Sequence, residues 1–353
     1  MVNGFALLVF LGFAVGLLVL VRRTIFTQHR SDLRILGAVA DRQERSVAHK
    51  VLRVLRARNI VVLVALVVGG ALAWNLHEQF PSAAGLPLAV APAGMWVLAS
   101  AVLAWWPLPY EFADSGSVAS SVASADLTPR STATFGPRWG IIVPTVLLAA
   151  TTVGLLVAGI LSGTDEKGRF RNLPYISANG AELDNNMVVT HIQLGHGSVG
   201  PFPGWYYGLP VLGLLLVGAG LSLWALHSNA RRPRLRATKL LAFDDAVRTN
   251  VGFVISTGFS AMLCLQAAPL MLFAASALFS SGQSTAYEVG QVAEAATIPD
   301  TVLDPVLGTL AVVIAVVALM LLVIGTILLV RWLGWMTTTL RPLKEHSTTT
   351  VIA

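Results

Sequence analysis

Long apolar runs alternate with short polar connections along most of the chain. Seven runs, at residues 2–21, 60–76, 87–106, 140–161, 205–225, 251–279 and 305–330, contain no Asp, Glu, Lys, Arg or His. A helix crossing about 30 Å of hydrocarbon at 1.5 Å per residue needs roughly 20 apolar residues, and each run meets or approaches that length. The apolar positions are not gathered into stripes of period 3.6 or 2, the sign of an element half-buried in a soluble core. The pattern predicts an all-α transmembrane protein, a bundle of seven membrane-spanning helices. Each Leu, Ile, Val or Phe contributes about 0.3–0.6 kcal/mol toward insertion and a central charge opposes it by about 2.5–3.5 kcal/mol, so uncharged runs insert readily.

Composition agrees: 55% of the 353 residues are hydrophobic and 12% charged, about half the charged share of a soluble domain. Charge then predicts orientation, because short basic loops stay in the cytoplasm. Of the 24 Lys and Arg, ten lie within 22–58, Arg130 and Arg138 in the next connection on the same face, six within 231–248, and Arg331, Arg341 and Lys344 in the tail. The opposite connections hold only Lys167, Arg169 and Arg171 as cations, among acids that include Glu78, Glu182, Asp184, Glu288, Glu294, Asp300 and Asp304. The expected topology is therefore N-terminus outside, C-terminus cytoplasmic, in the plasma membrane. Residues 2–21 are taken as a span and not a cleaved signal, since Arg22 and Arg23 follow the apolar run and no charge precedes it. Aromatic residues cluster at span ends, as interfacial belts do, and only Trp96 falls mid-span.

The connections divide by chemistry. Residues 22–59 form a basic cytoplasmic amphipathic segment, with Val47, Val51, Val54 and Leu55 on one side of a helix and Arg45, His49, Arg53 and Arg56 on the other. Its apolar side is expected on the inner leaflet, with docking of a cytoplasmic partner as the alternative. Residues 110–138, rich in Ser, Ala and Thr, read as a flexible cytoplasmic linker. The extracytoplasmic loop 162–204 predicts a small hairpin of 168–177 with 186–194, turning at Asn179-Gly180. A second extracytoplasmic loop, 281–304, is acidic, and Arg169 and Arg171 are expected to pair with it.

Candidate chemistry is sparse. Ser256, Thr257, Ser260, Cys264, Gln266 and Pro269 make 251–279 the most polar run and the place to look for a pathway, but a kinked helix with internally satisfied hydroxyls is the expected reading. Small residues four apart, at Gly12 and Gly16, Ala150, Gly154, Ala158 and Ser162, Gly204 and Gly208, and Ala311 and Ala315, predict close helix packing. His191 and His196 lie near Glu182 and Asp184, but their spacing has no ligand geometry, so no metal site is expected. The single cysteine allows no internal disulfide. Intramembrane His for haem, Lys for a retinal Schiff base and carboxylates for a proton relay are missing from the runs, as is a GxxxxGK[ST] nucleotide loop. No catalytic residues, cofactor or nucleic-acid partner is expected.

The run Gly200-Pro201-Phe202-Pro203-Gly204-Trp205-Tyr206-Tyr207-Gly208-Leu209-Pro210, followed by a span and then Arg231-Arg232-Pro233-Arg234, resembles integral membrane proteins of high-GC actinobacteria. A ratio of 20 Arg to 4 Lys fits such a source. The resemblance implies a bacterial plasma membrane and a neighbourhood of ABC transporters and GntR-type regulators; it supplies no site residues. The expected function is a non-enzymatic, transport-associated membrane subunit or permease-like component, whose partners are the lipid bilayer and a cytoplasmic ATPase or regulator. A membrane sensor reading a ligand through its outer loop is the alternative, and an intramembrane enzyme the third.

Overall fold

The computed structural model describes residues 42–106, 139–183, 189–233, 241–285 and 301–338. The first expected span, 2–21, and the linker 110–138 lie outside the described residues. Six helices are long and apolar enough to cross a membrane. They are α1 (Arg42–Gln79), α2 (Leu86–Trp105), α3 (Trp139–Leu161), α4 (Trp205–Arg231), α5 (Leu241–Gly282) and α6 (Pro305–Thr338). Between α3 and α4 run β1 (Gly163–Thr164), β2 (Phe170–Leu183) and β3 (Val189–Val199), and between α5 and α6 the short antiparallel pair β4 (Gln283–Thr285) and β5 (Thr301–Leu303). All three strand-bearing or tight connections emerge at one end of the bundle, the hairpin end; the arginine-rich connections emerge at the other, the arginine end.

α5 is the hub. Half of its apolar window is buried, against 11% for α1 and α6, and it touches α2, α3, α4 and α6. Val64, Val67 and Val68 of α1, Ile142, Val146 and Ile160 of α3, and Val312, Val313 and Met320 of α6 are exposed. An outer surface this apolar is suited to lipid and not to water.

At 1.5 Å per residue α5 is about 63 Å long and α1 about 57 Å, far more than the hydrocarbon requires. Much of the excess lies at the arginine end. There Ala48, Val51, Leu52 and Leu55 are buried in one core with Phe243, Val247, Val251, Trp332 and Met336. The segment runs into the span as expected, as the first turns of α1, but the apolar stripe of Ala48, Val51, Leu52 and Leu55 is covered by protein where the leaflet was expected. Burial against other helices satisfies the same stripe that lipid would.

The α5–α6 seam also differs from the four-residue spacing. On α6 Ala311, Ala318, Gly325 and Trp332, seven apart, are all turned inward, with Gly308 and Met336 buried beside that row. A Cβ on Gly325 would lie 3.0 Å from Cys264 Cβ and 3.1 Å from Leu265 Cγ, so the backbones approach closely there. A seven-residue repeat keeps one face on an antiparallel partner over several turns, as in coiled coils. On α3, Ala150 and Gly154 face outward, whereas Ala158 and Gly159 face in, the latter against the Trp205 ring.

Asp304 starts α6. Its Oδ1 accepts the N–H groups of Val306 and Leu307 at 2.7 and 3.2 Å, with Pro305 in the first turn, where its missing N–H is harmless.

Candidate functional site

Charge is buried at the arginine end. α4 stops because Pro233 cannot continue it and restricts Arg232 to extended backbone, leaving the last carbonyls of the helix without partners. Arg248, on the first turns of α5 and 0% exposed, supplies the donors. Its Nη1 donates to the carbonyls of Asn229 and Ala230 at 3.1 and 3.2 Å, and its Nη2 to those of Arg232 and Pro233 at 2.7 and 3.0 Å. Nε donates to Asp244 Oδ2 at 2.8 Å, one helical turn earlier. Five bonds match the five donors of a guanidinium. A cation placed on a helix C-terminus is also favoured by the dipole of that helix.

Asp244 is shared. Its Oδ1 accepts from Arg232 Nη2, and Asn229 Nδ2 returns a bond to the Arg248 carbonyl at 3.0 Å. The network ties the end of α4 to the start of α5. Burial holds the Arg232 guanidinium below its ordinary pKa, opposed by the attraction of Asp244. On α1, Arg58 is 2% exposed at the same end of the bundle, and the like charge of Arg232 acts against its own. Three buried arginines thus face one buried carboxylate among the described residues.

Sequence reading took 231–248 as a basic loop and missed this cluster. The available signal was the four-residue spacing of Asp244 and Arg248, which places opposite charges on one helix face. Arg58 and Asn59 directly before an apolar run were a weaker one.

The polar run 251–279, weighed as a pathway or as a kinked helix with satisfied hydroxyls, is packed. Ser260 Oγ donates to the Ser256 carbonyl at 2.9 Å. Gln266, 0% exposed, reaches across to α2: its Nε2 donates to the Ala89 carbonyl at 2.7 Å and its Oε1 accepts the Ala93 N–H at 3.1 Å. In an undisturbed helix that donor and that acceptor serve each other. Pro92 lies between them inside α2, and a side chain inserted beside a proline is a recognised cause of a kink. Trp96 Nε1, one turn on, donates to Ser222 Oγ at 3.0 Å, and Ser222 Oγ to the Gly218 carbonyl at 2.7 Å. Trp96 also stacks on Phe259, with centroids 5.9 Å apart. Gln266→Leu is expected to strand both backbone groups of α2 away from water and destabilise the bundle by about 1–3 kcal/mol; Gln266→Glu, which keeps an acceptor, should differ. The unfolding midpoint in mixed micelles measures both, and an unchanged midpoint for the Leu variant would show that α2 closes its own ladder.

At the hairpin end, β1, β2 and β3 form one antiparallel sheet in that order. The expected hairpin is present, but its turn is not at Asn179-Gly180. β2 runs through that dipeptide, where the register shifts from Ala178↔Leu194 to Gly180↔Gln193, so Asn179 is an extra residue opposite the ladder. An Asn-Gly pair marks a bulge as readily as a turn, since both interrupt the regular strand backbone. Pairing closes at Leu183↔Val189, and residues 184–188 lie outside the described residues.

Glu288, Glu294 and Asp300 of the acidic loop lie outside the described residues; the partner that the structure shows for Arg169 and Arg171 is nearer. Both bind Asp165 Oδ2 in their own connection, at 2.7 and 2.6 Å, because six residues of sequence separate these charges at most. The Arg169 guanidinium holds the Asp165 carboxyl well below the ordinary range. Arg169 Nη1 also donates to the Ser82 carbonyl at 2.6 Å and the guanidinium lies 5.3 Å from the Tyr206 ring centroid. The hydroxyls of Tyr206 and Tyr207 donate to the Ala83 and Ala84 carbonyls at 2.9 and 2.7 Å. These bonds fix the α1–α2 turn, in which Ala84 takes the left-handed conformation at φ 50° next to Gly85 at φ 81°.

His191 pairs opposite Glu182, whose Oε1 is held by Gln193 Nε2 at 3.1 Å. His196, an odd number of residues along β3, falls on the other face of the strand. Among the described residues no group of three His, Cys, Asp or Glu is placed to hold a metal ion.

No protein-family model matches the chain, and neither the curated proteins nor the solved structures give a match. The resemblance noted above therefore stands on the 200–210 run and its flanks alone.

Proposed function

We propose that this chain is a non-enzymatic, transport-associated subunit of the bacterial plasma membrane, with its C-terminus cytoplasmic, and that a cytoplasmic ATPase docks on its arginine end. The observation that carries the reading is the helical projection at that end. α1, α5 and α6 continue beyond the length a bilayer requires and share a packed core there, while Arg248 and Asp244 clamp α4 to α5. A rigid projection joined to the spans can pass force or position between a soluble partner and the membrane region. The distribution of Lys and Arg supports the orientation. The filled centre around Trp96 and Gln266 favours a subunit role over conduction by this chain alone.

Native pull-down in mild detergent is the test. A copurifying ATPase, weakened by replacing the exposed Arg53 with Glu, is the expected result; recovery of no partner would remove the reading. Orientation is checked separately in intact cells. Lys167→Cys should react with an impermeant maleimide from outside and Arg53→Cys only after lysis, with the native Cys264 buried and silent.

A sensor is the second reading, favoured by the bonds that couple the hairpin to helix ends. Arg169 joins the sheet connection to the α1–α2 turn, so displacement of the hairpin would move α1 and α2. A copurifying kinase or regulator in place of an ATPase would select it.

A further inference from the structure

The buried charges at the arginine end do not balance. Asp244 is occupied by Arg232 and Arg248, and every donor of Arg248 is bound. Arg58 Nε and Nη2 and Arg232 Nε and Nη1 have no partner, although Arg58 is 2% and Arg232 9% exposed. Both side chains are buried cations at the same end of the bundle, and their like charges act on each other. A buried cation with unfilled donors is strongly disfavoured unless an acceptor carrying negative charge is supplied. Water would fill donors without cancelling the repulsion.

We propose that Arg58 and Arg232 together form a binding site for one phosphate-type oxyanion. Guanidinium forks match phosphate oxygens in pairs, which suits two arginines better than a single point charge would. The α4 C-terminus would by itself repel an anion, but Arg248 already covers its carbonyls. Depth agrees as well. Arg58 precedes the apolar run that starts at Ile60, Arg232 follows the last turn of α4, and Arg248 precedes Val251, so the site lies where hydrocarbon gives way to charged connections. Phospholipid phosphates occupy that level, and a soluble phosphate reaches it from the aqueous side. The unpartnered nitrogens are sealed from solvent, so one guanidinium must swing to admit the anion.

The test uses the full chain in two arms. In neutral detergent and chloride buffer, Tm is followed while inorganic phosphate is added at constant ionic strength. In phosphatidylcholine nanodiscs, Tm is compared with and without phosphatidylglycerol, and native mass spectrometry counts retained lipids. The expected result is a saturable upward shift. A shift with phosphate alone identifies a free anion as the source, and a shift with phosphatidylglycerol and one retained anionic lipid identifies a headgroup. Arg58→Met, which removes the excess cation and keeps bulk, is expected to abolish the shift, whereas Arg53→Met on the exposed side of α1 retains it. Should Arg58→Met fail to fold, Arg58→Lys keeps the charge and loses the fork, and should raise the half-saturating concentration about tenfold. Absence of a wild-type shift in both arms, or an undiminished response in the Arg58 variant read, overturns the site.

Discussion

Asp244→Asn is expected to lower stability by about 3–5 kcal/mol, the cost of removing one partner from a buried ion pair. The amide preserves the shape of the carboxylate, so loss of packing is not the cause. It deletes the one negative charge among the buried charged residues and turns an N–H group toward guanidinium groups that have nothing to accept with. Arg248 then keeps its four carbonyl bonds but loses its counter-charge, and Arg232 loses its ion-pair partner. Arg58, buried with its Nε and Nη2 unpartnered, adds a further cation at this end. Asp244→Asn combined with Arg58→Met should therefore recover part of the loss, since one excess cation goes with the carboxylate. Reversible unfolding in mixed micelles gives the three midpoints. Equal destabilisation of the single and double variants would mean that Arg58 and the Asp244 cluster do not interact.

The spans were legible because lipid imposes a rule that depends on local sequence alone: a run of about 20 uncharged apolar residues must be a helix with its own backbone bonds satisfied. Six of the seven runs lie on six separate long helices. What lay beyond the sequence were choices among equivalent partners. The Val51 and Leu55 stripe satisfies lipid or protein equally well, and only the third dimension shows it buried in one core with residues of α5 and α6. Gln266 was readable as a residue needing a partner inside the bundle, but not that the partner is the ladder interrupted at Pro92 on a different helix. For Arg169 and Arg171 the sequence also held a nearer partner than the one it suggested. Asp165 competes from a few residues away, and a short connection brings local charges together at less entropic cost than a loop more than a hundred residues further on.

Gly258 carries the second large effect, and its origin is steric. A Cβ there would lie 2.5 Å from Trp332 Nε1 and 2.6 and 2.7 Å from Trp96 Cζ3 and Cη2. Neither ring can give way cheaply. Trp96 is pinned by its bond to Ser222, stacked on Phe259 and set 3.0 Å, at Cδ1, from the position of a Cβ on Gly218, and Trp332 is 1% exposed in the same core. Alanine would gain about 1 kcal/mol in helix propensity over glycine, yet over-packing of rigid neighbours typically costs about 1–3 kcal/mol and here involves two rings on two other helices. Gly258→Ala is thus expected to be net destabilising despite the better helix former, and Gly258→Val, with two further carbons in the same space, to fail to assemble. Trp96→Leu alone should also destabilise, by removing the indole from its slot. Paired with Gly258→Ala it removes the Trp96 half of the clash and leaves the contact with Trp332, so the double variant should be more stable than the sum of the two losses predicts but not restored. A cycle with additive losses would show that the rings move aside freely, and that Gly258 is not what brings α5 against α2 and α6.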